Sequence, residues 1–403
     1  MAESIENSLT KIESSVGDLD NYVAESLEMD PETVRELFSA EQVDALALAI
    51  NNAEAGKGFI IGDQTGVGKG RVVAAMIRYA LVHDKIPIFV TEKPNLYADM
   101  IRDFDEIGMA GMMGLENKKS NILITDNNRT VPYTLIRKEN GELVENNLDL
   151  KSIASENKDV ADKMKSMIAK DSIGDYKVIF TTYTQMQTLK GQETERQRFL
   201  RHFANDGYLV FDESHNAGGG GESRTKSKEE DAGPTGKAGF VRKLVNSAFG
   251  TFFSSATYAK RPDVMDLYSS TDMSLAVDKI SDLADAIRQG GIPMQQTVAN
   301  MLTQVGQYIR RERTFAGVSY KTEVTPVDKD TAENMATSMR DILSFSREKE
   351  SVVKGMKKAL DKQGSVFQGQ TEKTTIQSAY FGGTMHNLID QIDRKSTRLN
   401  SSQ

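Results

Sequence analysis

A glycine-rich decapeptide, GDQTGVGKGR (Gly62 to Arg71), stands between a short apolar run, GFIIG, and an amphipathic stretch, RVVAAMIRYALVHD, that leads into a second apolar run, IPIFVTE. Strand, tight turn, helix and strand in that order make a βαβ unit. Such units imply a parallel sheet with helices on both faces, and so an α/β fold. In open parallel sheets a ligand sits beyond the carboxyl ends of the strands, which is where the decapeptide falls.

The decapeptide approaches the phosphate-binding pattern G-x-x-x-x-G-K-S/T. There, glycines turn successive backbone N–H groups toward phosphates, the helix N-terminus adds partial positive charge, and the lysine bridges the β and γ phosphates. Thr65, Gly66, Gly68 and Lys69 match the pattern, and together with Val67, Gly70 and Arg71 they are the candidate nucleotide contacts. Two positions depart from it. Asp63 stands where the first glycine is expected, with Gly62 one place earlier, and Gly70 replaces the Ser/Thr whose hydroxyl would bind Mg²⁺. A water can take the place of that hydroxyl, so the second departure bears on magnesium geometry more than on nucleotide binding. A glycine-rich turn of no chemical use is the alternative.

Elsewhere the chain alternates in the same way. LFSAEQVDALALAINNAEAGKG (Leu37 to Gly58) has helical spacing, and YKVIFTTYTQMQTL, a helix around Thr194 to Phe203, GYLVFDESH and TFFSSATYA continue the α/β pattern. Between Gly108 and Asp175 the pattern changes to an inserted α+β segment. Asn140 and Gly141 there separate two alternating strands, a hairpin signal, and a charged helix is expected over Lys151 to Lys170. His215 to Gly239 has too few large apolar residues to pack and reads as a mobile loop beside the site. Helix is expected over Asp278 to Gln307 and Thr331 to Leu360, with strands from Tyr308 between them. The final DRKSTRLNSSQ (Asp393 to Gln403) resembles the read-through translation of a sequencing-library adapter, so the natural protein is expected to continue past about Ile392.

Composition narrows the class. The 403 residues suit two or three domains, and 38% hydrophobic with 27% charged residues is the make-up of a globular protein. Without cysteine there is no disulfide framework or thiolate site, and four histidines argue against zinc. The acidic start fits no signal peptide and no apolar run approaches membrane-spanning length, so the expectation is a protein without a membrane partner, in the cytoplasm. Met1 to Asp30 carries eight acids and one lysine, which leaves the remaining residues near neutrality at 49 bases and 50 acids. That head is expected to be a solvated helix or arm, and the body can carry a local basic groove.

Two further strand ends bear chemistry. In YLVFDESH, a buried strand ends in adjacent carboxylates that repel one another unless a cation sits there. Asp212 would hold Mg²⁺ and Glu213 would polarise the water that attacks the γ-phosphate. A solvated strand terminus is the alternative, but it does not explain why the pair follows a phosphate loop in the expected chain order. In TFFSSATYA, Ser255, Ala256 and Thr257 follow another apolar strand.

Taken together, TGVGKG, DESH and SAT, each at a strand end and in this order, resemble motifs I, II and III of superfamily 2 helicases and translocases. GFIIGDQTGVGKGR, FDESHNAGG and SSATYAKRPDVMDLY more closely resemble the strawberry notch branch, which includes phage relatives tied to anti-restriction and shares the Gly70 departure; the resemblance runs over roughly Phe38 to Lys321. It implies a RecA-like P-loop NTPase lobe using ATP and Mg²⁺ in the cytoplasm of a bacterium or phage-infected host. Glu213 would be the catalytic base, Lys69 the phosphate lysine and Asp212 the metal ligand. Gln42 would be the adenine-reading glutamine, and His215, Ser255 and Thr257 would couple nucleotide state to grip on nucleic acid, with DNA the preferred partner. On this reading residues 1–36 are an acidic arm, 37–277 the ATPase lobe and 278–392 a segment leading to a second RecA-like lobe. That lobe, which would supply an arginine finger, is not recognisable here, so slow hydrolysis is expected of these residues alone. Arg310, Arg311 and Arg313 are poor finger candidates, because a basic run is more often a phosphate contact or solvated face. Nucleic acid is expected across the strand ends at Lys93, Arg224, Lys226 and Lys228, with a solvated loop as the alternative. A P-loop ATPase acting on protein partners is the rival class.

Overall fold

A computed structural model describes residues 2–64, 66–115, 120–126, 130–139, 142–156, 159–188, 192–218, 236–256, 262–276 and 280–312, with a few isolated positions beyond them. The chain divides into two units, Met1–Thr314 and Phe315–Gln403, and the elements named below belong to the first. The helices expected over Thr331 to Leu360 and the foreign-looking tail fall largely outside the described residues.

Four helices open the chain: α1 (Ala2–Val16), α2 (Leu19–Ser26), α3 (Pro31–Leu37) and α4 (Ala40–Glu54). Next come β1 (Phe59–Ile61), α5 (Lys69–Val82), β2 (Pro87–Thr91), α6 (Tyr97–Glu106) and β3 (Ile122–Ile124). An antiparallel pair, β4 (Thr130–Glu139) and β5 (Glu142–Lys151), precedes α7 (Ile153–Glu156) and α8 (Val160–Ala169). The lobe is completed by β6 (Val178–Thr182), α9 (Glu195–Ala204), β7 (Tyr208–Asp212), α10 (Gly236–Ser247), β8 (Gly250–Ser254), α11 (Ile280–Gln304) and β9 (Tyr308–Ile309). α11 is kinked at Gly291, just ahead of Pro293.

Seven strands form one sheet in the order β3-β6-β2-β7-β8-β1-β9, and every pairing in it is parallel. The expected RecA-like α/β lobe, a parallel sheet flanked by helices, is what the chain adopts. Alternate strand residues feed two cores, as a period of two requires. Phe59 and Ile61 of β1 join Tyr208 and Val210 of β7 beneath the helices α1 to α6. Ile60, Leu209 and Phe211 face the opposite layer, where Phe211 stacks on Phe253 at 5.5 Å. Register aligns the strand tips, with Asp212 opposite Ser254 and Ser254 opposite Ile61. Among the described residues no helix is long and apolar enough to cross a membrane.

Three expectations need correction. The acidic head is not a solvated arm: Ile12, Val23, Ala24, Leu27 and Val34 are buried in the core, and its acids lie on the outer side. Apolar residues at helical spacing decide its placement, because solvated charges on the opposite face cost little. Within the inserted segment, Ile122–Ile124 belongs to the main sheet as its edge strand. The hairpin is also longer than expected: β5 runs on to Lys151, opposite Thr130, and leaves α7 and α8 where one long helix was foreseen. Asn140 and Gly141 lie outside the described residues. Both ends of the loop foreseen over His215 to Gly239 are regular structure, since Ser214–Ala217 makes a 3₁₀ turn and α10 begins at Gly236; residues 219–235 lie outside the described residues.

Candidate functional site

The loop after β1 works because its glycines adopt backbone angles that L side chains avoid: Gly66 and Gly68 have φ of 90° and 86°. α5 begins at Lys69 directly after them, so the first N–H groups of a 14-residue helix open onto the loop. Thr65 lies outside the described residues. Asp63, the apparent flaw in the pattern, is fully buried and accepts from the Arg311 backbone N–H at 2.7 Å and from its Nε at 3.1 Å. The Gln64 N–H donates to the Arg311 carbonyl at 3.1 Å, and a guanidinium N–H of Arg311 also reaches the Glu41 carbonyl. The loop floor is thereby tied to the residues following β9. Arg311 is committed to that tie and is not placed as a finger, Arg310 pairs with Glu312, and Arg313 lies outside the described residues.

Gln42, expected to read adenine, sits in the N-terminal turn of α4. Its side-chain carbonyl accepts from the Ser39 N–H at 3.0 Å, and its amide donates to the Gly68 carbonyl at 3.1 Å. A capping box and a strut to the loop occupy it in this structure. Arg71 turns away from the loop, donating to Glu106 at 2.8 Å and to the Leu37 carbonyl at 3.0 Å. Asp103, a residue that sequence reasoning missed, packs against Gly70, and burial pushes its carboxyl up to about 6 against the pull of Arg102.

The paired carboxylates occupy different surroundings. Asp212 accepts from Thr91 Oγ1 at 3.2 Å and Ser254 Oγ at 3.4 Å, the terminal residues of the flanking strands. Burial raises its pKa above the usual carboxylate range and Glu213 adds to the rise; Thr91, Lys69 and Ser254 oppose it. The register that sets Asp212 opposite Ser254 and Ser254 opposite Ile61 places the acid pair at the same sheet edge as the loop that follows β1. Glu213 is 39% exposed and stands on a left-handed backbone, φ 46° and ψ 52°. Strain of this kind is tolerated where a side chain must be aimed. His215 Nδ1 lies 3.2 Å from Glu213 Oε2 and 2.9 Å from Ser255 Oγ, and the Ser255 N–H donates to the Ile61 carbonyl at 3.0 Å. Lys93 is exposed after β2, beside Glu92 at 3.6 Å. Thr257, Arg224, Lys226 and Lys228 lie outside the described residues.

A magnesium ion arriving with a nucleotide fits this donor set. Among the described residues no three acids or histidines are gathered to hold a metal alone, and Mg²⁺ is ordinarily held by one or two carboxylates with phosphates and waters. Asp212, partly buried at the end of β7, suits that demand.

A parallel sheet with a glycine loop after one strand, a lysine opening the next helix and an acid pair two strands away defines a P-loop NTP hydrolase lobe. The chain belongs to the P-loop containing NTP hydrolase pore-1 family, whose model matches residues 12–336. It is similar to Protein strawberry notch homolog 1 of Homo sapiens, 25% identical over 304 residues that make up 71% of this chain and 18% of the human protein. Protein strawberry notch of Drosophila melanogaster is likewise 25% identical over 290 residues, 68% of this chain and 14% of that protein. The chain thus spans about a fifth or less of the curated relatives it matches. A Sulfolobus solfataricus SWI2/SNF2 ATPase core in complex with dsDNA overlaps at 13% identity, 68% of this chain and 44% of that one, with a TM-score of 0.39.

Proposed function

We propose that this lobe is the first motor lobe of an ATP-dependent nucleic-acid translocase or helicase, which hydrolyses ATP with Mg²⁺. The observation that supports it best is the connection at the strand tips: His215 meets both Glu213 and Ser255, and Ser255 bonds the last carbonyl of the strand that carries the loop. A hydrolase that only turns over nucleotide needs no link between its base and a third strand end, whereas a motor must transmit the state of the γ-phosphate. Lys69 would neutralise the β and γ phosphates, Glu213 would orient the attacking water, and Asp212 would hold the cation, which when bound withdraws charge from the transferring phosphoryl group. A facing RecA-like lobe would supply the stabilising arginine. Gln42 would set the loop by holding Gly68.

The reading is tested in the protein extended by a facing RecA-like lobe, by ATP turnover measured with and without DNA, alongside Lys69→Ala; these 403 residues alone should turn over ATP slowly. Activation by DNA that disappears in the variant is the expected result. Turnover indifferent to DNA and RNA would favour the rival, an ATPase acting on protein partners. Lys69→Ala should also weaken ATP binding by about 10- to 100-fold, the value of one charge-assisted contact, with an unchanged melting temperature. Lys69 is only partly buried, so its loss leaves no hole in the core.

Nucleic acid would lie over the carboxyl ends of the strands, touching Lys93 after β2 and Arg224, Lys226 and Lys228. Replacing these four with Ala should lower DNA affinity and flatten its salt dependence by about 0.7–0.9 in log–log slope for each phosphate no longer neutralised, with ATP affinity unchanged. Parental DNA affinity at every salt concentration would rule this surface out.

A further inference from the structure

Gly70 occupies the position at which a phosphate loop ordinarily presents a hydroxyl to magnesium, and the structure gives a reason for the exchange. A Cβ built on Gly70 would stand 2.0 Å from Asp103 Oδ2 and 2.7 Å from its Cγ, far inside any tolerated contact. Serine or threonine at position 70 and Asp103 in its present place exclude each other. Asp103 comes from α6, whose carboxylate reaches across to the second residue of α5. Its nearest cation among the described residues is Arg102, 3.8 Å away, and its side chain is 13% exposed. A carboxylate oxygen therefore stands where a hydroxyl side chain would have begun. Carboxylates are the protein donors that Mg²⁺ prefers beside phosphates and water, one or two per site.

We propose that Asp103 replaces the missing loop hydroxyl and binds the nucleotide's magnesium, directly or through one of its waters. The inference rests on the nucleotide reading above and adds a second carboxylate to Asp212. It also explains the glycine: removing the side chain at position 70 makes room for a donor from the neighbouring helix. A purely structural Asp103, filling space against α5, is the competing outcome.

The test is binding of a fluorescent, slowly hydrolysed ATP analogue titrated with Mg²⁺, a readout that does not depend on turnover. Asp103→Asn keeps the volume and removes the charge. It should leave magnesium-free nucleotide binding at least as tight as in the parent and raise the half-saturating Mg²⁺ concentration by about 10- to 100-fold, as loss of a metal-positioning group does. The swap Asp103→Ala with Gly70→Ser returns a hydroxyl to the loop without the clash, and should recover part of the magnesium response. An unchanged magnesium response in Asp103→Asn, with parental nucleotide binding, would overturn the role of Asp103 and leave the nucleotide reading standing. Failure of the parent protein to bind the analogue at any magnesium concentration would overturn both.

Discussion

Glu213→Gln should leave ATP affinity within about twofold of the parent while slowing turnover by about 10²- to 10⁴-fold, the range for removal of a general base. The variant keeps the size of the side chain and loses only its charge. Its backbone, left-handed at φ 46°, is held by the Asn216 N–H donating to the Glu213 carbonyl at 2.9 Å, an interaction the substitution does not touch. The glutamine oxygen can still accept from His215. On the proposed reading binding and chemistry would therefore separate: the loop and Lys69 would still hold the phosphates, and only the orientation of water and the acceptance of its proton would be lost. Parallel measurement of analogue binding and phosphate release, in the protein with a facing RecA-like lobe present, checks this. Turnover at the parental rate would place the base elsewhere.

Asp63→Ala should destabilise the lobe by about 3–5 kcal/mol, as removing one partner of a buried ion pair does. Asp63 is fully buried and receives both the backbone N–H and the guanidinium of Arg311, so its loss strands a charge beneath the loop. Arg311→Ala alone leaves a buried carboxylate and should cost a similar amount. The double variant should cost less than the two single losses added together, because neither charge is then left alone. Denaturant unfolding of the four proteins gives the comparison. A single-variant loss below about 1 kcal/mol, the worth of an exposed pair, would show that water reaches the site.

The βαβ unit and the strand-end acids were legible because their signals are local. Glycines of positive φ, apolar runs of strand length and carboxylates at a strand tip can be read within ten residues of one another. The hairpin betrayed itself in the same way. Ile122–Ile124 escaped because three apolar residues carry no period, and only their pairing with β6 makes them a strand. The acidic head was misread because charge drew attention from an apolar series, Ile12, Val23, Leu27 and Val34, that was present in the sequence. Ser39 to Gln42 is a capping-box pattern, and its helix-start role could have been read beside the base-reading one. The bonds between Asp63 and Arg311 join residues 248 apart, and the approach of Asp103 to Gly70 joins two helices; neither leaves a trace in local spacing.

β9 lies beside β1 at the edge of the sheet, and beyond those two strands Asp63 and Arg311 form a buried ion pair, the Arg311 N–H donates to the Asp63 carboxylate, and the Gln64 N–H donates to the Arg311 carbonyl. Mechanically this is a rivet between the phosphate loop and the segment by which the chain leaves the lobe. A hinge with play in it would absorb a small displacement of the loop. A riveted joint would pass it on, so that on the proposed reading any recoil of the loop as a phosphate departs would reach the outgoing chain at its first residues.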